Sequence, residues 1–478
     1  MIAPSFHPAT VRATCRPRTR ASFGLTTRSI ALLTAGFAFL IPGFWDARLS
    51  YAMLAWDALV LLAAVLDGMR LPRATQLAAA RAWSNAPSLD SQTEIELTVE
   101  NHGSVIIECR LIDDLPSALG DPSARLEPIR ITAFPRVPAA VRYRVEPQER
   151  GDCTTGQLYI RYRSPLSLAE RWAMAPLEQT VRIYSALRTG EEQKIFLARS
   201  RQIDLQLRQT RQRGLGRDFE SLRDYREGDD MRDICWTASA RRGNLITRQY
   251  QTERSQPVWI VLDCGRLMRS RVVAAPGTNA ALPLAAGSLR EHSKLDHACT
   301  AAVALAQLAL FSGDRVGLLA YGQTIQQRLL PGRGAAHLRQ MIELLAQVRA
   351  ESSEADHLRA TTLLGRLQPR RSLILWITDL AETAMRPEVI DGAMHLLRRH
   401  VLLFVAMAQP EVDSIAMERP KNVEQMFRAA AAQEMAGRRE LLLARLQEQG
   451  ALTLDLNPQA VTSSILNQYL MVKERAMV

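Results

Sequence analysis

The chain has 478 residues, of which 47 % are hydrophobic. That is enough for sizeable cores and, at roughly 150 residues per domain, for about three units. A net charge of +11 and a pI of about 9.7 admit nucleic acid or an anionic membrane as partners, but beyond the N-terminus the arginines are interleaved with acids. No basic stripe forms, which argues against nucleic-acid binding.

Residues 1–28 carry Arg12, Arg16, Arg18, Arg20 and Arg28 and no acid, and read as a basic cytoplasmic N-terminal segment. Two apolar runs follow within 29–70: SIALLTAGFAFLIPGFW at 29–45 and LSYAMLAWDALVLLAAVL at 49–66. Each matches the ~17–20 residues that cross a bilayer. The short DAR link between them predicts a transmembrane helical hairpin. Arginines precede the first run and follow the second (Arg70, Arg73, Arg81), so the positive-inside rule places both ends in the cytoplasm. Trp45, Tyr51 and Trp56 suit an interface, and Pro42 falls near the end of the first run. Asp57 lies within the second, where a charge costs about 2.5–3.5 kcal/mol, so it is expected to face its partner helix, stay protonated or draw in water. No small-x-small site follows the first run, which disfavours a cleaved signal peptide; the acid-free start also fits a transit peptide.

From 76 to 185 the pattern turns to short alternating runs: TEIELTVEN, VIIECRLID, RLEPIRITAF, AAVRYRVEP, GQLYIRYR and TVRIYSAL. Period-two alternation punctuated by turn signals predicts a β-sandwich-like domain. No catalytic constellation occurs in it. Residues 186–213 read as a polar connector with a helix.

Residues 214–254 combine arginines and acids in near balance with Tyr225, Trp236 and Tyr250. Such a segment reads as an ion-pair network that docks something, either the next domain of this chain or a partner. Glu227, Gly228, Asp229 and Asp230 form a turn signal, and Asp229 or Asp230 is suited to cap a helix over DMRDICWTASARR. Arg241 and Arg242 favour its C-terminus, and Gly243 stops it. Arg223, Arg226 and Arg232 lie close in sequence to Asp224, Asp229 and Asp233. The residues expected to make contacts are Arg223, Tyr225, Gly228, Asp229, Asp230, Arg232, Trp236 and Arg241. No nucleophile–base pair is evident among them.

From 255 to 478 strands and helices alternate. PVWIVLDC, DRVGLLAYG, RSLILWITDL, HVLLFVAMA and ALTLDL are buried-strand runs, and amphipathic or apolar helical stretches separate them. This predicts a doubly wound α/β domain with a largely parallel sheet, to which QTIQQRLL adds an antiparallel edge. The loop 270–293 is rich in Ala, Pro and Gly. Ligands of such sheets sit at the carboxyl ends of strands, where Asp263 and Asp379 fall. Six cysteines (15, 109, 153, 235, 264 and 299) make no C-x-x-C pair and no zinc-spaced cluster, consistent with reduced thiols and a cytosolic soluble part.

FESLRDYREGDDMRDICWTASAR, followed by VLDCGRLM, resembles the bacterial domain-of-unknown-function family fifty-eight. The family pattern is roughly F-E-x-L-R-x-Y-x-x-G-D-D-x-R-x-I-x-W-x-A-x-A-R. Upstream, RGDCTTG resembles the family's R-G-x-Y-x-x-G run, with Cys153 in place of the usual aromatic. The resemblance implies a von Willebrand factor A-like α/β domain, a membrane anchor and a MoxR-type AAA+ ATPase as partner. A metal-binding domain of that kind uses D-x-S-x-S, a Thr and a second Asp. Here Asp263 and Asp379 are kept, Gly265 and Leu267 replace the two serines, and Ala335, in the loop 332–336, stands where the Thr is expected. No metal and no cofactor is expected, and Asp263 and Asp379 are expected to pair with Arg266 or cap helices. The resulting expectation is an inner-membrane, multi-pass interaction or assembly factor without catalysis, its soluble domains cytoplasmic. The alternative is a metal-dependent hydrolase with a site at Asp263 and Asp379, drawing on His292, His297 or His357.

Overall fold

The computed structural model describes residues 8–18, 23–39, 47–89, 91–120, 128–186, 194–202, 218–226, 231–251, 256–273, 291–380 and 388–475. The chain divides into two units, 1–186 and 187–478.

The first unit combines β structure with apolar helices. Strands β1 (Val11–Thr14), β2 (Arg16–Pro17) and β3 (Phe23–Leu25) precede helix α1 (Thr27–Gly36), which runs into a short 3-10 turn, Phe37–Phe39. Helix α2 (Ala47–Arg70) follows. Nine further strands complete the unit: β4 (Leu77–Trp83), β5 (Thr93–Asn101), β6 (Ile107–Asp113), β7 (Ile129–Ala133), β8 (Ala139–Val145), β9 (Gly151–Thr155), β10 (Leu158–Arg163), β11 (Ala169–Ala175) and β12 (Gln179–Ile183). One antiparallel sheet has the order β1-β4-β5-β8, and a second runs β2-β11-β10-β6-β7 with β3 also on β11. Their inward residues, Leu77, Ile95, Leu97 and Val99 from one sheet and Ile107, Leu111, Leu158, Ile160 and Tyr162 from the other, share one core. The burial of β5 alternates along its whole length, as a strand with one solvated face requires.

The N-terminal residues therefore belong to the β structure, not to a separate basic segment. Val11 to Thr14 pair with Arg81 to Ala78 across the two apolar helices. Arginine-rich, two- to four-residue strands carry too little apolar periodicity to show in the sequence. Arg81 is a further correction. It is fully buried in β4, ion-paired with Asp113, and donates to Thr155 Oγ1 at 2.7 Å and Leu177 O at 2.8 Å. It holds the core together and takes no part in a membrane-flanking charge cluster; Arg70 and Arg73 stay exposed.

The second apolar run forms a helix longer than its predicted 49–66. The first is helical over Thr27–Gly36, and residues 40–46, including Pro42 and Trp45, lie outside the described residues. The two helices pack: Trp56 Nε1 donates to Leu32 O at 2.9 Å. A Cβ at Gly36 would stand 2.6 Å from Asp57 Oδ1, so Asp57 faces α1 and a larger residue at 36 would have to displace it.

The helix ends are fastened to the turn between β10 and β11. Asp67 is buried and accepts from Ser164 Oγ (2.7 Å), Leu168 N (3.1 Å) and Ala169 N (3.1 Å). Thr26 caps α1 and donates to Ser167 O, and Ser29 Oγ donates to Leu168 O. Ser167 holds a φ of 54°, a left-handed conformation that non-glycine residues keep where surrounding contacts fix it. Asp67→Ala would leave two buried amides without an acceptor. We expect it to destabilise the unit by roughly 2–4 kcal/mol, read as a lowered melting temperature of the full chain in mild detergent. Arg70→Ala, exposed on the same helix end, should cost under about 0.5 kcal/mol. Equal effects would contradict the fastening role.

In the second unit, residues 194–202 are helical. The signature forms strand β13 (Asp218–Asp224), helix α3 (Trp236–Arg242) and strand β14 (Ile246–Gln251). The α/β part comprises β15 (Pro257–Asp263), a two-stranded ribbon of β16 (Arg271–Val273) with β17 (Glu291–Ser293), α4 (Lys294–Phe311), β18 (Arg315–Tyr321), β19 (Ile325–Gly332), α5 (Gly334–Gln347) and α6 (His357–Leu367). It continues through β20 (Leu373–Thr378), α7 (Glu388–Leu397), β21 (Val401–Met407), α8 (Pro410–Met417), α9 (Val423–Glu448), β22 (Leu452–Leu456) and α10 (Val461–Glu474). The six-stranded sheet has the order β19-β18-β15-β20-β21-β22. All neighbours are parallel except β19, the QTIQQRLL run, which lies antiparallel to β18. Strands β15, β20 and β21 are buried on both faces, which is why they read as unbroken apolar runs. Trp259, Trp376 and Phe404 pack with residues of α6, α7 and α9 into one core, and α4 packs with α5 and α10. In the loop 270–293 the ends pair as β16 and β17, and 274–290 lie outside the described residues.

Candidate functional site

Two places follow from the sequence: the signature segment and the carboxyl edge of the parallel sheet. The signature folds as its own small element. β13 and β14 pair antiparallel with a bulge between Phe219 and Ser221. Residues 231–233 form a 3-10 turn, Ile234 bridges Thr247, and Cys235 N donates to Ile246 O at 2.8 Å. These ties hold the chain against β14 and delay the helix. It starts at Trp236, with Cys235 as cap residue, instead of spanning the predicted three turns. Ser239 staples the two parts: its hydroxyl donates to Cys235 O at 3.0 Å and accepts from Ile246 N at 2.9 Å. Arg241 and Arg242 occupy the last turn, and Gly243 ends the helix at φ 72°, the left-handed position where glycine carries no Cβ penalty.

Of the expected contact residues, Arg223 and Tyr225 are half-buried, and Arg232, Trp236 and Arg241 are exposed. Gly228, Asp229 and Asp230 lie outside the described residues, and with them the turn and its capping role. Trp236 is 66 % exposed and Met231 75 % exposed. The core of the element is made by Ile234, Cys235, Ile246 and Thr247.

Cys235 was legible only as one of six thiols. Its neighbours set it apart. Hydrogen bonds from Thr237, the Ala238 amide and the Arg248 side chain lower its pKa to about 7. The residue is largely covered, but it sits in a small two-stranded element where hydrogen bonding outweighs desolvation. Burial pushes Cys15 and Cys109 up to about 12 and Cys153 up to about 11. Alkylation by iodoacetamide should therefore strike Cys235 ahead of these three, with half-maximal rate near pH 7. A midpoint at the ordinary thiol value of ~8.5 would contradict the assignment.

At the sheet edge, Asp263 ends β15 opposite Tyr321, and Asp379 follows β20. Asp263 accepts from Gly265 N at 2.7 Å through Oδ1 and from Thr378 Oγ1 at 2.6 Å through Oδ2. Asp379 receives the ammonium of Lys294, the first residue of α4, at 2.5 Å, and Gln409 Nε2 at 3.1 Å. Lys294 and Gln409 are thus partners of Asp379. Burial pushes the Asp263 carboxyl up, and pushes His357 down against the opposing pull of Asp263. Trp376 Nε1 donates to Tyr321 Oη at 2.8 Å, and Tyr321 Oη lies 2.8 Å from His357 Nδ1. With its lone pair turned to Trp376, the tyrosine hydroxyl donates to the imidazole, which is then a neutral acceptor within a core network. His292 and His297 meet edge-on, at a ring separation of 5.9 Å.

The expected Thr position needs correction. Gly332 pairs with Val316, at the start of β18, because β19 runs antiparallel. The loop 332–336 with Ala335 therefore lies at the opposite edge of the sheet from Asp263. The loop that reaches Asp263 is 349–356: Glu351 N donates to Cys264 O at 2.7 Å and Arg266 N to Ser353 O at 2.9 Å. Glu351 turns to Gln323, Gln326 and Ser353. Among the described residues no group of three or more His, Cys, Asp or Glu is placed to hold a metal ion.

Among solved structures, the chain is similar to conserved hypothetical protein BatB from Bacteroides thetaiotaomicron (13 % identity, 46 % of this chain and 100 % of that one, TM-score 0.28). It is similar to a von Willebrand factor type A protein from Catenulispora acidiphila (10 % identity, 48 % of this chain and 44 % of that one, TM-score 0.27). A third is an uncharacterized membrane spanning protein from Vibrio fischeri (13 % identity, 45 % of this chain and 96 % of that one, TM-score 0.16). No curated protein matches. Residues 221–417, from within the signature to the end of α8, match the family described as "Protein of unknown function DUF58".

Proposed function

We propose that this chain is a membrane-anchored interaction factor that engages a protein partner through the signature element. The observation that carries the reading is the exposure of Trp236 and Met231 on an element that its own backbone hydrogen bonds, such as Cys235 N to Ile246 O, hold together. A large aromatic left at the surface beside Arg232 and Arg241 is the composition of an interface anchor. Helices α8 and α9 pack on each other and leave Met417, Val423, Met426 and Phe427 exposed, a second apolar surface on the same unit. A MoxR-type AAA+ ATPase, implied by the family resemblance, is the partner we put forward, and we propose no intrinsic catalysis.

The anchor is supported by α2. Its stretch Tyr51–Arg70 has 20 residues and a mean hydropathy of 1.8, long and apolar enough to cross a bilayer. Its outer side chains Tyr51, Leu54, Leu59, Leu62 and Met69 are exposed, as lipid contact requires. Strand pairing supplies the topology we propose. β1 precedes the apolar helices and β4 follows them, yet they are neighbours in one sheet. Both ends must then lie on one side of the membrane, so a crossing by α2 needs a return crossing through 27–46. Arg28, Arg70 and Arg73 put that side in the cytoplasm. The proposal is thus a two-span inner-membrane hairpin carrying a β-sandwich and an α/β domain on the cytoplasmic face.

Copurification of the full chain from mild detergent with a MoxR-type AAA+ ATPase tests the reading. We expect Trp236→Ala to reduce recovery of the ATPase about tenfold or more. Unchanged recovery, or none even with the unaltered chain, would count against it. For the topology, Arg28→Cys and Arg73→Cys, each in a Cys235→Ser background, should label alike with an impermeant maleimide, and only from the cytoplasmic side. Labelling of one position from each side would refute the hairpin.

A further inference from the structure

The carboxyl edge of the parallel sheet holds Asp263 and Asp379, the two acids that a cation-binding domain of this kind presents. Their surroundings do not fit a divalent ion. Mg²⁺ demands near-octahedral oxygen ligands and retains several waters. Here both Asp263 oxygens are already acceptors, for a backbone amide and for the Thr378 hydroxyl. A Cβ at Gly265 would lie 3.0 Å from Ala355 N and 3.1 Å from Ala355 Cβ, so a serine there has little room. Position 267 offers only a leucine side chain.

A cation is nonetheless present. Lys294 Nζ lies 2.5 Å from Asp379 Oδ2, and the side chains are 2 % and 0 % exposed. The placement of this lysine runs against local preference. It opens α4, where the helix dipole disfavours positive charge. The Ser293–Asp296 capping box adds an acid to the same turn, and Asp379 supplies the main compensation. A fully buried ammonium would not stand at a helix N-terminus without such a partner.

We infer that the Lys294 ammonium is a tethered replacement for the divalent cation of the fold, which leaves this edge of the α/β unit independent of metal. The inference goes beyond partner docking at the signature element and has a separate readout. The lysine is part of the chain, so it neither dissociates nor responds to metal supply, and it ties the start of α4 to the end of β20.

The test uses the full chain in mild detergent with Mn²⁺ as probe. The unaltered protein should show no saturable rise in melting temperature below millimolar Mn²⁺. Lys294→Ala removes the ammonium from Asp379 and should gain apparent Mn²⁺ affinity of at least about tenfold. Lys294→Arg should behave as the unaltered protein, and adding Asp379→Asn to Lys294→Ala should abolish the gain. If Lys294→Ala folds poorly, Mn²⁺ should restore its folded yield. Micromolar stabilisation of the unaltered chain, a folded Lys294→Ala protein with no gain, or a poorly folded one that Mn²⁺ does not rescue would each overturn the inference.

Discussion

Lys294 and Asp379 are both buried, and neither charge would be tolerated there without the other. The same constraint recurs in the first unit, where Arg81 is matched by Asp113 and Asp67 by two backbone amides and a hydroxyl. Each match joins parts distant in sequence: α4 to the end of β20, β4 to β6, and α2 to the turn after β10. Breaking one side of such a match leaves an uncompensated charge or orphaned donors, at a cost of several kcal/mol, roughly 3–5 for an ion pair. These contacts fix geometry where apolar packing alone would allow sliding.

Their effect on function differs between the units. In the first, the Asp67 contacts and the Thr26 and Ser29 hydroxyls make the junction between apolar helices and β sheets a defined joint. The apolar helices are thereby held to the β structure through hydrogen bonds. In the second, the edge where a doubly wound sheet usually receives a ligand is filled by the protein's own side chains. Lys294, Thr378 and Gln409 occupy the acceptors of Asp263 and Asp379. The proposed recognition surface, the signature element with exposed Trp236, lies in a different part of the unit's sequence.

The sequence revealed the parts in which one physical signal dominates. Strands β15, β20 and β21 are unbroken apolar runs, α2 is an apolar helix of bilayer length, and Gly243 marks a helix end. Buried charge gave no such signal. Arg81 reads as one more flanking arginine, and no local pattern marks Asp67 or Lys294 as buried, because their partners lie far away in the chain. The strands at 11–25 are too short and too rich in arginine for a periodic pattern. The loop 332–336 was assigned to the wrong edge because the direction of β19, fixed only by its pairing with β18, decides which end of the sheet the next loop meets. Helix α3 came out shorter than its composition suggests, since the Ile234 bridge and the Cys235 amide bond hold the preceding residues to β14.

The central claim is that the α/β unit carries its own cation. Its most direct test is anomalous scattering at the manganese edge from crystals of the full chain grown with Mn²⁺. The account predicts no peak within ~3 Å of the Asp263 or Asp379 carboxylates, with the Lys294 ammonium in hydrogen-bond contact with Asp379. A manganese ion bridging the two carboxylates, with Lys294 turned away, would contradict it.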